Sequence, residues 1–400
     1  MNPYVCVVGA VNLDICGRPS RKLIFRDSNP GTVTLTPGGV GRNIAHDLRL
    51  LGAEVKFLTA FGGDSHAQLL RNDCVELGMD LGCALDVPGG RTSTYLYITD
   101  ERGEMQLGLS DTDISAAITP AYLQRHLDVL NSAAAVVLDG NLTAETITWL
   151  GTHCSAPLFA DPVSVTKAER MRAALGALHT FKPNLTEGQN LTGESTPEGI
   201  VAALLAQGVQ RVFLSMGADG ILAGTREELV HLPCLPTCMV NTTGGGDAVM
   251  AALVWAYLQG LDLRESAAAA LRAGKATVEY PGTNNPDLGA LVHGWGRSKT
   301  ANPAGFRFWK PAVFSYQDGD AVNARRRAPC RGARPGRRGQ RAEPAAKLLP
   351  HGRLRRHTRR VQRREHEVAC RRGWGEHARQ RRRQVAAEQH AERGQHRLLG

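Results

Sequence analysis

From the first residues to about position 297, short runs of β-branched and other apolar residues alternate with stretches whose apolar positions recur at helical spacing. Runs at 4–9, 55–60, 134–138, 157–161 and 211–215 predict strands. Between them, Ile44, Leu48 and Leu51 mark one face of a helix over 42–51 that ends at Gly52, and 65–77 predicts a second helix ending before Gly78. Strand–helix units repeated in this way predict an α/β fold, a mainly parallel sheet covered by helices. Two segments break the rhythm. Thr32–Thr36, and the pair Thr94–Thr99 and Glu104–Leu109 joined by a Glu101-Arg102-Gly103 turn, predict a small antiparallel sheet set apart from the main one, a candidate lid over about 31–36 and 92–110.

The chain's 400 residues have room for one large α/β domain with additions, or for two domains. No uncharged apolar run approaches the roughly 18 residues needed to span a bilayer, which excludes a protein built on membrane-spanning helices. Met1 to Gly9 carries no basic leader and reads as a first strand, so a cytoplasmic location is expected. Nine scattered cysteines fit buried free thiols in that compartment. Cys234 and Cys238 form a close pair, but without a second pair at matching spacing they predict no metal–thiolate site.

The net charge of +10 divides unevenly along the chain. Residues 301–400 hold 26 of the 48 Lys and Arg but 8 of the 38 Asp and Glu, so the first 300 residues are acidic and only the tail is basic. Residues 298–400, with Arg325-Arg326-Arg327 and Arg381-Arg382-Arg383 among Ala, Gly, Pro and Gln, lack helical or strand periodicity and predict a disordered low-complexity tail. Two origins stay open for it: a nucleic-acid- or membrane-binding segment, or GC-rich coding DNA translated out of frame.

The strongest chemical signal is Asn241-Thr242-Thr243-Gly244-Gly245-Gly246-Asp247, followed by an apolar run from Val249 to Leu258. Glycines at a helix start let backbone N–H groups and the positive end of the helix dipole approach an anion. Asp247 beside such a turn is placed to accept the proton of a hydroxyl that attacks phosphorus, although an N-cap aspartate after a glycine turn has the same sequence. No P-loop motif is present, and Gly39-Val40-Gly41 does not complete a dinucleotide fingerprint, because Ile44 occupies the third glycine position. In Lys182-Pro183-Asn184-Leu185-Thr186-Glu187, Asn184 and Glu187 suit a Mg²⁺ that keeps most of its water, or equally a capping box at a helix start. Ser215, Gly217 and Gly220 read either as the border of a nucleotide or as a tight hairpin turn leading to Ile221-Leu222. Asn12, Asp14 and the turn Pro37 to Asn43 offer the carboxylate and amides that hold sugar hydroxyls, or are ordinary turn formers.

In this order and spacing the motifs resemble the ribokinase-like (PfkB) family of carbohydrate kinases over residues 4 to about 290, on the two stretches Pro37–Asp64 and Thr243–Leu253. Asp27-Ser28-Asn29-Pro30-Gly31, Thr36–Ala45, Asp161-Pro162-Val163-Ser164 and Thr283-Asn284-Asn285-Pro286-Asp287-Leu288 are most similar to the pseudouridine kinases within that family. The resemblance implies a three-layer α/β/α sandwich over 1–297 with a small β-sheet lid, ATP and Mg²⁺ as cosubstrates, a monovalent cation such as K⁺, and a homodimer joined through the lids. It implies Asp247 as catalytic base with Gly244, Gly245 and Gly246 as anion hole, and Asn12, Asp14, Gly39 and Asn43 as substrate-binding residues. Asn184, Ser215, Gly217, Gly220 and Thr243 fall on the nucleotide side, with Glu187 and Asn184 governing the metal. Gly245 departs from the family's usual Ala, and Asn241 from its frequent Asp near the monovalent-cation site. The implied reaction is phosphorylation of the 5′-hydroxyl of pseudouridine. Another sugar or nucleoside acceptor, such as ribose or a ketohexose, and nucleic-acid binding by the tail are the alternatives.

Overall fold

The computed structural model describes residues 3–293, so the basic segment 298–400, with its expected disorder, lies outside the described residues. The strands are β1 (Tyr4–Val8), β2 (Asn12–Pro19), β3 (Gly31–Gly38), β4 (Glu54–Leu58), β5 (Ala60–Phe61), β6 (Leu85–Asp86), β7 (Thr94–Thr99), β8 (Met105–Asp111), β9 (Ala135–Asp139), β10 (Leu158–Asp161), β11 (Leu178–Phe181), β12 (Arg211–Ser215), β13 (Ile221–Gly224) and β14 (Leu229–Leu232). The main sheet has the order β14-β13-β12-β11-β10-β9-β1-β4. From β12 to β4 every pairing is parallel, while β13 and β14 add an antiparallel edge.

Both faces of this sheet are covered, and the alternation within strands explains how. Cys6, Val8, Val136 and Leu138 point into one core, with Ile147 and Leu150 of the helix Ala144–His153 and Ile200 and Leu204 of the helix Pro197–Ala206. Val5, Val7, Ala135 and Val137 point into the other, against Ile44 and Leu48 of the helix Val40–Leu50 and Met250, Ala251 and Val254 of the helix Gly245–Leu258. The result is a three-layer α/β/α sandwich. Because parallel strands share a direction, β1, β9, β10, β11 and β12 deliver their C-terminal ends to one edge, the edge at which open α/β sheets bind ligands.

The second sheet has the order β3-β2-β7-β8. It is mixed rather than antiparallel, because β2 and β7 run parallel. Asn12 and Asp14, which follow the first strand, lie at the start of β2. The register puts Asp14 opposite Thr36 and Tyr95, and Cys16 opposite Thr34 and Tyr97, on one face. Ile15, Leu35, Leu96 and Leu109 share the other face. Among the described residues no helix is long and apolar enough to cross a membrane.

Candidate active site

Two apolar strands end in carboxylates at the binding edge. Asp139 closes β9, and its Oδ2 accepts hydrogen bonds from the backbone N–H groups of Ala10 and Gly41, each at 2.9 Å, while Oδ1 accepts from Asn141 N at 2.8 Å. The carboxylate thereby pins the first turn of the helix Val40–Leu50 to the end of β1. The approach is close, since a side chain on Gly41 would put Cβ 2.9 Å from Gly9 Cα. Asp161 closes β10 and pairs with the ammonium of Lys182 at 3.0 Å, both groups being buried. Burial alone disfavours the Lys182 charge, but Asp161, Glu187 and Asp247 together outweigh it and raise its pKa.

Asp247 stands in the first turn of the helix Gly245–Leu258, whose N-cap, Gly244, has φ 81°. That left-handed conformation suits glycine, and a Cβ at 244 would also be driven into the Thr283 carbonyl oxygen. At Gly245, where the family's Ala is absent, an added Cβ would lie 2.9 Å from Val278 Cγ1, so the departure fits the local packing. A Cβ on Gly246 would lie 3.5 Å from Lys182 Nζ, which puts the ammonium beside the glycine turn. Burial, then the nearby Asp161, push the Asp247 carboxyl up to about 7; the Asn43 amide, whose Nδ2 donates to Asp247 Oδ2 at 2.9 Å, and Lys182 act in the opposite direction. A carboxylate titrating near neutrality is suited to general-base work.

Asn12 Nδ2 donates to Asp14 Oδ1. Burial raises the Asp14 carboxyl to about 6 against the opposing effects of Asn12 and Arg42. Gly39, at φ 100°, leaves no room for a side chain, since Cβ would fall 2.6 Å from Ala10 O and 2.8 Å from Asn12 Oδ1. Asn12, Asp14, Gly39 and Asn43 are thus gathered around the end of β1, with Asn43 in direct contact with Asp247.

The nucleotide-side residues are arranged differently. Asn184 and Glu187 form a complete capping box: Asn184 N donates to Glu187 Oε2 at 2.8 Å and Glu187 N to Asn184 Oδ1 at 2.9 Å. One oxygen of each is therefore engaged with backbone, and Glu187 keeps its second carboxylate oxygen for other use. Burial raises the Glu187 pKa, opposed by the Asn184 N–H and Lys182. Among the described residues no group of three or more His, Cys, Asp or Glu is placed to hold a metal. Ser215 pairs with Asn184 across a β-bridge, and Gly217 and Gly220 form the turn of the β12–β13 hairpin, where Met216 N donates to Gly220 O at 2.8 Å. Thr243 is exposed just before the glycines, its N–H donating to Asn241 Oδ1 at 3.0 Å.

The pfkB family carbohydrate kinase model matches residues 2–289. The chain belongs to the PfkB family of carbohydrate kinases. It is 39% identical over 292 residues to the pseudouridine kinase of Escherichia coli, covering 71% of this chain and 93% of that one. It is 25% identical over 351 residues to the pseudouridine kinase of Arabidopsis thaliana, covering 70% and 92%. Among solved structures, the Arabidopsis thaliana ribokinase complexed with ribose and ATP shares the fold, with a TM-score of 0.64 at 21% identity over 73% of this chain and 99% of that one. This PfkB kinase is accordingly a sugar or nucleoside kinase, a phosphotransferase with an alcohol group as acceptor.

Sequence reasoning did not single out Asp139, Lys182 or Arg42 of this PfkB kinase as site residues. The first had a signal: an acid directly ending a fully apolar strand before glycine, in Val136-Val137-Leu138-Asp139-Gly140. The carboxyl values generate a pH expectation. Only an ionised Asp247 can take up a proton, and an ionised Asp14 is the stronger hydrogen-bond acceptor, so acceptor kcat/KM should fall as pH drops through about 7 and then about 6. A profile measured over roughly pH 5 to 8.5 that stays flat on its acid side would contradict this assignment.

Proposed function

We propose that this kinase transfers the γ-phosphoryl group of ATP to the 5′-hydroxyl of pseudouridine. The observation that carries the chemistry is Asp247, a buried carboxyl raised to about 7 and set in a glycine turn beside the Lys182 ammonium. The substrate rests on the 39% identity to the Escherichia coli pseudouridine kinase. In this reading Asp14, Asn12 and Asn43 hold the ribose hydroxyls, with Gly39 leaving the space they need. Asp247 accepts the 5′-hydroxyl proton as the oxygen attacks phosphorus. The N–H groups of Gly244, Gly245 and Gly246, with Lys182, stabilise the charge on the transferring phosphoryl oxygens. Ser215, Gly217, Gly220 and Thr243 border the nucleotide.

Mg²⁺, when bound, neutralises nucleotide phosphate charge, and Asn184 and Glu187 are the residues that would hold it through its water shell, in keeping with its preference for few protein ligands. A K⁺ beside Asn241, whose side chain also reaches the Pro281 carbonyl at 3.3 Å, belongs to the same reading. The second sheet acts as a lid that excludes water and so suppresses ATP hydrolysis. On its Asp14 face, Tyr95 and Tyr97 stack with ring centroids 5.4 Å apart, an aromatic surface suited to a nucleobase and unneeded for a free sugar.

In a coupled assay of ADP release by the full-length chain with Mg-ATP, turnover should be largely confined to pseudouridine when it is compared with uridine, ribose and fructose at matched concentrations. Preference for ribose or fructose would discard the substrate and keep the fold.

The lid face opposite Asp14 leaves Val33 and Leu35 exposed on one edge strand, Leu107 and Leu109 on the other, and Leu96 between them, and an apolar face of this kind favours a homodimer joined through the lids. Sedimentation should show a dimer that Leu109→Lys converts to folded monomer. A monomeric wild-type chain would remove the dimer from the account.

A further inference from the structure

Arg42 is charged yet 5% exposed, in the first turn of the helix that carries Asn43, and the proposed chemistry gives it no task. Its guanidinium is held on three sides. Nε and Nη2 donate to Asp73 Oδ2 at 3.0 and 2.7 Å, and Nη1 donates to Asn284 Oδ1 at 2.8 Å and to Asn43 Oδ1 at 3.3 Å. The Asn284 amide is oriented in turn, because its Nδ2 donates to Asn43 O at 3.1 Å and to Asp47 Oδ1 at 2.9 Å. Asn284 follows Thr283, whose carbonyl packs against Gly244, so one loop braces both Asn43 and the glycine turn.

The two ends of an asparagine amide are alike in shape and opposite in hydrogen bonding. A guanidinium can only donate, so the end of Asn43 that faces Arg42 must be its oxygen. We infer that Arg42 is a positioning residue: clamped by Asp73 and Asn284, it fixes the Asn43 amide so that its N–H, not its carbonyl, faces Asp247. An N–H favours the ionised carboxylate that serves as base, whereas a carbonyl would favour the protonated acid, which cannot serve. The inference rests on Asp247 being that base. The other charged or titratable groups around Asp247 are Asp139 from β9, Asp161 from β10, Lys182 just after β11 and, on Arg42's own helix, Asp47, whose burial holds its carboxyl well above the usual range.

The test follows the Asp247 carboxyl by ¹³C NMR in full-length chain labelled at aspartate Cγ, with D247N identifying the signal. Asp73→Ala discriminates the explanations, because Asp73 is a quarter exposed and its removal takes away a negative charge. A charge effect alone would lower the Asp247 midpoint, whereas a loosened Arg42 that lets the amide turn should raise it by about half a pH unit. Arg42→Gln should raise it by about one unit, and kcat at pH 6 should fall about tenfold while KM for ATP stays within about twofold. An unmoved or lowered midpoint in folded Asp73→Ala overturns the inference, and that variant alone decides if Arg42→Gln does not fold. The midpoint needs no turnover, so a chain that phosphorylates no acceptor would sink the functional reading and leave this readout intact.

Discussion

One buried ammonium among carboxylates organises the binding edge of this protein. Lys182 pairs with Asp161 in a setting where both are almost wholly removed from water, and Glu187 and Asp247 also contribute to keeping it charged. Removing one partner of such a pair typically costs about 3–5 kcal/mol, because the remaining charge is left buried and uncompensated. The arrangement is short of positive charge for the acids that surround it. Asp161 takes the close contact, and Asp247, pressed by burial and by Asp161, is left to titrate near neutrality. In the proposed reading the anionic phosphoryl group would lie beside Lys182 and the glycine N–H groups, so stability and chemistry draw on one set of charges.

The fold supplies these groups by a simple device. Parallel strands buried on both faces must be apolar along their length, and the first place a polar side chain is tolerated is the strand end. Asp139 and Asp161 occupy those ends: Asp139 accepts from Asn141 N in its own loop and from Ala10 N and Gly41 N across the edge, and Asp161 accepts from Val163 N in its own loop. The hydrogen bonds of Asp139 fasten the helix that carries Arg42 and Asn43, and thereby settle where Asn43 meets Asp247.

Much of this was legible in the sequence. The apolar runs marked β1, β4, β9, β10 and β12, and the glycine-rich stretches marked the turns. β2 was not legible as a strand, because Asp14, Gly17 and Pro19 are poor strand formers and its partners come from distant segments. β11 is four residues long and contains His179 and Thr180, too little for a period to show. The residue types of the site were readable, but not their mutual engagement. Asn184 and Glu187 form the capping box while Glu187 keeps its second carboxylate oxygen, so that box does not exclude the metal-side reading. Lys182 gains its meaning from Asp161 on the neighbouring strand, and Arg42 from Asp73 and Asn284, none of which spacing along the chain reveals.

In the proposed reaction a single carboxyl, Asp247, removes the proton of the acceptor hydroxyl. Replacing it by asparagine keeps its size and its contact with Asn43 while abolishing its basicity, so the most direct measurement is the turnover of D247N with saturating acceptor and Mg-ATP near pH 8. The account predicts a loss of roughly 10²–10⁴-fold in kcat with nucleotide affinity nearly unchanged. Turnover within a few-fold of wild type would contradict it and require the proton to leave by another route.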